Sequence, residues 1–125
     1  MNNPKKILIV DDEELVVKAL TDKLTSENFL TESASDGQEA LKKVEQFKPD
    51  LVLLDIIMPK LDGISVLKKL KGSNDTKNIP IIVLTNLYDD KRIQEALKDG
   101  STDYLIKVDH SLGDIVKQIK EKLGQ

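Results

Sequence analysis

Residues 51–55 read Leu-Val-Leu-Leu-Asp, a run of four aliphatic side chains that ends in a carboxylate. A short, uninterrupted aliphatic run is typical of a strand that is buried on both faces of a sheet. Three other stretches share this form, an apolar run that leads into a polar functional group: 7–10 before Asp11 and Asp12, 81–84 before Thr85, and the weaker 104–106 before Lys107. The pattern predicts strands that carry chemistry at their carboxyl ends.

Helical periodicity fills the intervals between these runs, with apolar residues three or four positions apart. The apolar stripes are Val16, Val17, Leu20 and Leu24; Ala40, Leu41, Val44 and Phe47; Ile64, Leu67 and Leu70; Ile93, Ala96 and Leu97; and Leu112, Ile115, Val116, Ile119 and Leu123. Asp36 and Ser111 are expected N-caps, since each has an acid three residues later. Gly72 and Gly100 stand where helices should end. We expect five helices whose apolar stripes face the core.

The predicted elements alternate, strand then helix, five times along the chain, if the alternating stretch 29–34 is counted as a strand. Strict alternation favours a parallel sheet with helices on both faces and right-handed crossovers. The two most polar strands, 29–34 and 104–106, should lie at the edges, which fits the strand order 2-1-3-4-5. We therefore expect an α/β fold of the flavodoxin-like type, a five-stranded parallel sheet in a (βα)5 three-layer sandwich, formed by a single domain of residues 1–125.

The composition excludes several classes of function. The chain has no cysteine, which rules out disulfides, thiolate metal sites and thiol nucleophiles. The net charge is −3, and the 19 lysines and arginines are scattered, so direct binding of nucleic acid is not expected. The apolar run at 7–10 is too short for a signal peptide or a membrane span. We expect a cytoplasmic protein that does not bind membranes.

Parallel strands bring their carboxyl ends to one edge of the sheet, where ligands bind in such folds. Asp11, Asp12, Asp55, Thr85 and Lys107 would then converge on one cleft. Three neighbouring carboxylates repel each other, and the single lysine compensates only part of that charge. Mg²⁺ suits the cleft best, because it prefers oxygen ligands and takes only one or two carboxylates. Zinc does not fit a chain with no cysteine and a single histidine.

Such a cleft is suited to phosphoryl transfer, which needs an in-line nucleophile and positive charge on the phosphoryl oxygens. Asp55 is a competent nucleophile at the end of its strand. A phosphoryl group on Asp55 would meet Mg²⁺, the Lys107 ammonium and the Thr85 hydroxyl.

The motifs that carry this chemistry resemble those of response-regulator receiver domains. The matching stretches are 7–13 (Ile-Leu-Ile-Val-Asp-Asp-Glu), 34–41 (Ala-Ser-Asp-Gly-Gln-Glu-Ala-Leu), 55–63 (Asp-Ile-Ile-Met-Pro-Lys-Leu-Asp-Gly), 83–85 (Val-Leu-Thr) and 104–107 (Tyr-Leu-Ile-Lys). The resemblance covers essentially the whole chain. It implies a signalling domain that accepts a phosphoryl group from a histidine kinase, a phosphotransfer protein or a small phosphodonor. Slow self-phosphorylation and autodephosphorylation would be its only enzymatic activities.

The resemblance also implies a role for each residue at a matching position. Asp55 would be the phosphoacceptor. Asp12, Asp55 and the backbone carbonyl of Ile57 would hold Mg²⁺ directly, and Asp11 would hold it directly or through water. Lys107 would pair with the carboxylates and then with the phosphoryl group.

Two further residues would convert phosphorylation into a change of surface. Thr85 would move toward the phosphoryl group, and Tyr104 would turn inward after it. The face made by the fourth helix, the fifth strand and the fifth helix would then bind a downstream protein, or a second phosphorylated copy in a homodimer.

Three features depart from the family pattern. Val108 follows Lys107 where the family usually has proline, often after a cis bond, so this loop is expected to be trans and shifted or else strained. Asn86 replaces a small residue, which would narrow access to Asp55. Ile57 and Leu87 are apolar and cannot orient an attacking water, from which we expect slow dephosphorylation.

Two alternative functions remain open at this point. A degenerate receiver would bind partners without phosphorylation, which Asn86 and Val108 allow. A metal-dependent hydrolase of the haloacid-dehalogenase type would also use an aspartyl phosphate, but it needs an acid two residues after the nucleophile, where this chain has Ile57.

Overall fold

The computed structural model describes residues 4–55, 63–85, 103–106 and 111–124. The strands within these ranges are β1 (Lys6–Val10), β2 (Leu30–Ala34), β3 (Leu51–Leu54), β4 (Ile81–Thr85) and β5 (Asp103–Ile106). The helices are α1 (Glu14–Ser26), α2 (Gly37–Phe47), α3 (Gly63–Gly72) and a C-terminal helix (Leu112–Lys122). The fourth predicted helix, with Ile93, Ala96 and Leu97, lies outside the described residues, as does Gly100.

The strands form one sheet in the order β2-β1-β3-β4-β5, and every neighbouring pair is parallel. The predicted parallel α/β fold is thus confirmed, and the strand order is the expected one. The polar strands lie at the edges because they offer too little apolar surface to be covered on both sides. In β2, for example, only Ala34 is buried, whereas all four residues of β3 are buried.

Helices cover both faces of the sheet, each through its own apolar cluster. On one face, α2 and α3 pack on β1, β3 and β4 through residues such as Val44 and Leu67. On the other face, α1 and the C-terminal helix pack on the same strands through residues such as Leu24 and Ile119. This gives the predicted three layers. None of the helices in the described ranges is long and apolar enough to cross a membrane.

The predicted caps fix where two helices begin. Asp36 is the N-cap of α2, and its carboxylate accepts the Glu39 N–H at 2.8 Å. Ser111 caps the C-terminal helix in a capping box, in which its hydroxyl accepts the Asp114 N–H and the Asp114 carboxylate accepts the Ser111 N–H. Both bonds satisfy donors that a helix start leaves open. Gly72 ends α3, as predicted.

The predicted core is wrong at one residue, Leu112. Leu112 belongs to the apolar stripe of the C-terminal helix, yet 38% of it is exposed. It is the first residue of that helix. The stripe residues that lie a turn or more further along the helix are buried, as expected: Ile115, Val116 and Ile119.

Candidate functional site

The site lies at the carboxyl edge of β1 and β3, two neighbouring strands in the interior of the sheet. Their last residues, Val10 and Leu54, lie opposite each other. The pairing continues one residue further, because the Asp55 N–H donates to the Val10 carbonyl at 2.8 Å and the Asp11 N–H donates to the Ala34 carbonyl at 3.0 Å. The backbones of Asp11 and Asp55 are therefore fixed by the sheet.

Three carboxylates meet at this edge. Asp11, Asp12 and Asp55 each offer one oxygen, and these three oxygens lie within 4.8 Å of one another. Asp11 and Asp55 are buried, with 3% and 5% of their surface exposed, while Asp12 is exposed. Three acidic oxygens around one point are the ligands that a hard divalent cation such as Mg²⁺ prefers. The predicted convergence of these aspartates is what the structure shows.

Asp11 also acts at the start of α1. Its Oδ1 accepts the Glu13 N–H at 2.9 Å, and Glu13 is the N-cap of the helix although its own side chain makes no capping bond. A carboxylate at this point is favoured by the positive end of the helix dipole. The hydrogen bond fixes the orientation of the Asp11 carboxyl group.

A cleft of about 320 Å³ opens beside the aspartates. It is lined by Asp11 and Asp12, by Glu14 and Lys18 of α1, and by residues 33–35 at the end of β2. The cleft is predominantly acidic, which favours cations.

The other predicted site residues are described only in part. Thr85 is the last residue of β4, opposite Ile106, and Tyr104 lies opposite Val83. These positions put the two backbones in neighbouring strands; their side chains are outside the described part of the chain.

The remaining predicted positions lie outside the described residues altogether. They are Ile57, Asn86, Leu87, Lys107 and Val108, and with them the bond between Lys107 and Val108. Their roles remain predictions.

Sequence reasoning missed a second feature of this edge, a pair of exposed leucines. Leu15 is 84% exposed in the first turn of α1, and Leu112 is partly exposed at the start of the C-terminal helix. The available signal was the position of Leu15 outside the apolar stripe of α1, directly after the acidic run 11–14.

Comparison with known proteins gives consistent matches across the chain. The family model for the response regulator receiver domain matches residues 7–120. The alkaline phosphatase synthesis transcriptional regulatory protein PhoP of Bacillus subtilis is 45% identical over 103 residues, which are 82% of this chain and 42% of PhoP. The response regulator PleD of Caulobacter vibrioides is 39% identical over 102 residues, again 82% of this chain but 22% of PleD. The chain thus spans less than half the length of these relatives.

Solved structures with closely similar folds are also known. The BeF3-activated N-terminal receiver domain of Klebsiella pneumoniae RstA has a TM-score of 0.86 and 29% sequence identity, and the match covers 97% of this chain and all (100%) of that one. The family match, the relatives and the fold agree with the aspartate cluster at the sheet edge. The chain therefore belongs to the response-regulator receiver domains, the phosphoacceptor domains of two-component signalling.

Proposed function

We propose that Asp55 is the phosphoacceptor of this receiver domain. The observation that carries the proposal is the position of Asp55: a buried carboxylate at the end of the central strand β3, with an oxygen within 4.8 Å of oxygens of both Asp11 and Asp12. A carboxylate in this position has a fixed backbone and neighbours that can hold a cation. Asp11 is less suited to be the nucleophile because its Oδ1 accepts the Glu13 N–H, and Asp12 is less suited because it is exposed.

The donor set at this edge fits Mg²⁺, which receiver domains bind at an aspartate cluster. We assign Asp12, Asp55 and the backbone carbonyl of Ile57 as direct ligands of the ion, and Asp11 as a ligand that holds it directly or through water. When bound, the ion would offset the carboxylate charge and stabilise the negative charge of the transferring phosphoryl group. The closeness of the three carboxylates supports this assignment, because one oxygen from each lies within 4.8 Å of the others.

The reaction is an in-line displacement at phosphorus. One carboxylate oxygen of Asp55 forms a bond to phosphorus as the bond from phosphorus to the donor breaks, the N–P bond of a phosphohistidine or the O–P bond of an acyl phosphate. The departing imidazole or carboxylate keeps the electron pair of the broken bond. The Lys107 ammonium and the Thr85 hydroxyl are assigned to the phosphoryl oxygens.

We assign the response to phosphorylation to Thr85 and Tyr104. The Thr85 hydroxyl would approach the phosphoryl group, and Tyr104 would turn inward behind it. The face made by the fourth predicted helix, β5 and the C-terminal helix would then favour a downstream protein or a second phosphorylated copy. A population shift of this kind needs a difference of a few kcal/mol between the two arrangements.

Receiver domains interact with histidine kinases and with downstream effectors. Some relatives of this chain are transcription regulators, so a longer protein that contains it could act on DNA through another domain. We propose that residues 1–125 form one receiver domain and that its part in signalling is to accept, hold and lose the phosphoryl group.

The test is to load the domain with a small donor. The protein is incubated with Mg²⁺ and acetyl phosphate, and its intact mass is measured over time. We expect a stoichiometric phosphoryl adduct that is abolished in Asp55→Asn and by EDTA. Asp75→Asn is the matched control, because Asp75 is an exposed aspartate in the segment that precedes β4, at the opposite edge of the sheet.

The other outcomes separate the alternatives. Absence of an adduct in the folded protein would favour a degenerate receiver. Rapid multiple turnover of the donor would favour a hydrolase. An adduct that persists in Asp55→Asn would place the phosphoacceptor elsewhere.

A further inference from the structure

The layer formed by α2 and α3 carries an excess of positive charge. Residues 37–48 and 63–79, which comprise these helices and the residues that directly follow them, hold three acids and seven lysines: Lys42, Lys43, Lys48, Lys68, Lys69, Lys71 and Lys77. Their net charge is +4, whereas the whole chain carries −3. Lysines that are scattered along the sequence are brought together because α2 and α3 pack on the same face of the sheet. A basic face on an acidic protein indicates an anionic partner.

Local structure accounts for only part of these lysines. Lys69 and Lys71 lie in the last turn of α3, where the helix dipole favours a cation. Lys43 is paired with Glu32 at 3.2 Å. Three exposed lysines have neither role and make no ion pair within the described ranges: Lys42, Lys68 and Lys77. Their charges are available to a ligand.

A cleft opens beside this face, between the end of α2 and the segment that leads from α3 to β4. Its volume is about 510 Å³, within the range of ligand pockets of roughly 300–1,000 Å³. The apolar part of its lining is Val44, Pro49 and Ile79. Lys48 also lines it, and Lys77 comes directly after the lining residues 75–76. The cleft can thus hold an apolar side chain while the neighbouring lysines bind carboxylates.

The cleft lies at the amino edge of the sheet, opposite the aspartate cluster. Pro49 and Ile79 each come two residues before a strand, β3 and β4 respectively. Asp55 follows the other end of β3. A ligand in the cleft therefore leaves the candidate phosphoacceptor uncovered.

The chemistry of the face favours an acidic polypeptide over other polyanions. Glu45 and Asp75 also line the cleft, so a uniformly charged ligand such as a nucleic acid or an anionic membrane would meet like charge there. The two segments contain no arginine and one aromatic residue, Phe47, whose ring centroid lies 5.6 Å from the Lys6 ammonium. Such a face offers little on which bases can stack. A polypeptide can place an apolar side chain in the cleft and its carboxylates beside the lysines.

We propose that this cleft and the lysines around it dock an acidic segment of another protein, in which an apolar residue lies between the acids. The inference goes beyond the proposed function, because the phosphoryl group takes no part in it. Such a partner would stay bound while Asp55 gains and loses its phosphoryl group. The face would hold the domain in an assembly without blocking its reaction.

The experiment selects peptides by their dependence on this face. A library of random twelve-residue peptides displayed on phage is selected in parallel on the unaltered chain and on the double variant with Lys48→Glu and Lys77→Glu. Peptides enriched only on the unaltered chain are labelled, and their Kd is measured by fluorescence anisotropy. The matched control is Lys117→Glu, because Lys117 is an exposed lysine of the C-terminal helix, in the opposite layer. Oligo-dT and phosphatidylserine vesicles test the other polyanions, and urea unfolding shows that each variant is folded.

We expect the selected peptides to carry acids on both sides of an apolar residue. Lys48→Glu and Lys77→Glu should each weaken their binding about 3- to 10-fold, because each replaces an exposed ion pair by a repulsion. Serine in place of the apolar residue of the peptide should weaken binding about 10-fold. Lys117→Glu should change the Kd less than about twofold. Saturating peptide should leave the rate of loading by acetyl phosphate unchanged, because the cleft lies at the opposite edge.

Four results would overturn the inference. The first is a selection in which no peptide distinguishes the unaltered chain from the double variant, or in which the selected peptides lack acids. The second is equal loss in Lys117→Glu, which would show that only the net charge of the protein matters. The third is tighter binding of oligo-dT or vesicles that the double variant abolishes, which would assign the face to that polyanion. The fourth is a dimer by light scattering that the double variant converts to monomer, which would assign the face to a second copy.

The proposed function is tested separately in the same samples. Failure of acetyl phosphate to load the unaltered chain would refute the assignment of Asp55 and would leave the peptide binding, which does not depend on the phosphoryl group, as it stands.

Discussion

Replacing Asp12 by asparagine should stabilise the folded protein when no divalent cation is present. Asparagine keeps the shape of the side chain and removes one of three negative charges whose oxygens lie within 4.8 Å of each other. The folded state holds these charges together, whereas the unfolded chain lets them separate. The repulsion is thus a cost of folding that the variant largely escapes.

The magnitude follows from the distance. At 4.8 Å, the upper bound on the separations in the cluster, two unit charges repel by about 0.9 kcal/mol in water and by about 3.5 kcal/mol at an effective dielectric constant of about 20. The substitution removes two of the three pairs. Asp12 is the exposed member of the cluster, so the lower end of this range applies, and we expect a gain of about 1 to 3 kcal/mol in the free energy of unfolding.

The assay is urea unfolding followed by circular dichroism at low ionic strength, in EDTA and then in Mg²⁺. In EDTA the variant should be the more stable protein. Mg²⁺ should stabilise the unaltered chain by about 1.4 kcal/mol at ten times its Kd, and should stabilise the variant less because one ligand is gone. Asp22→Asn is the control, since Asp22 is an exposed aspartate in α1 whose carboxylate lies 3.7 Å from the Lys18 ammonium; the substitution should change stability by less than about 0.5 kcal/mol.

A variant that is less stable than the unaltered chain in EDTA would refute the electrostatic reasoning. An unaltered chain whose stability does not respond to Mg²⁺ would refute the assignment of the cluster as a cation site.

Three further predictions concern stability. Leu53→Ala should cost about 2 to 5 kcal/mol in urea unfolding, because Leu53 is 1% exposed in the central strand β3; a loss below about 1 kcal/mol would contradict the packing described. Gly113→Ala should add about 0.5 to 1 kcal/mol, because a Cβ there meets only the Ser111 Oγ at 3.7 Å, and any loss of stability would contradict it. The hydrogen bond and charge of Lys120, whose Nζ lies 2.5 Å from a carboxylate oxygen of Glu27, hold the pKa of Glu27 below its usual 4.5. Because the pKa of Glu27 is lower in the folded protein than in the unfolded chain, its interaction with Lys120 contributes stability above pH 4.5. This contribution is lost as the pH falls through the lowered value. The difference in stability between the unaltered chain and Glu27→Gln should therefore shrink in urea titrations from about pH 6 to about pH 3, and a difference that does not shrink would contradict the ion pair.

The fold was predictable because two periodicities alternate without ambiguity along the chain. Four-residue aliphatic runs such as 51–54 can only be buried on both faces, and the less apolar β2 and β5 can only lie at the edges. The cluster of Asp11, Asp12 and Asp55 followed from the same logic, since parallel strands place their carboxyl ends together.

The partial exposure of Leu112 was not predictable from the same pattern. Periodicity reports which side of a helix faces the sheet, but not where along the helix the covered surface ends. Leu112 continues the stripe of Ile115 and Ile119 and yet is partly exposed, because it is the first residue of its helix. The roles of Thr85, Tyr104 and Lys107 depend on side chains outside the described part of the chain, and they stay predictions.

The backbone hydrogen bonds that Asp11 and Asp55 donate to the adjoining strands have a consequence for signalling. Their amide hydrogens should exchange with solvent only when the central sheet itself opens, as slowly as those of the core. If Asp55 is the phosphoacceptor, as proposed, the phosphoryl group would be carried by a backbone that the sheet holds in place. The structural change that reports its arrival would then take place in the groups around Asp55, with this aspartate as the stationary point of the switch.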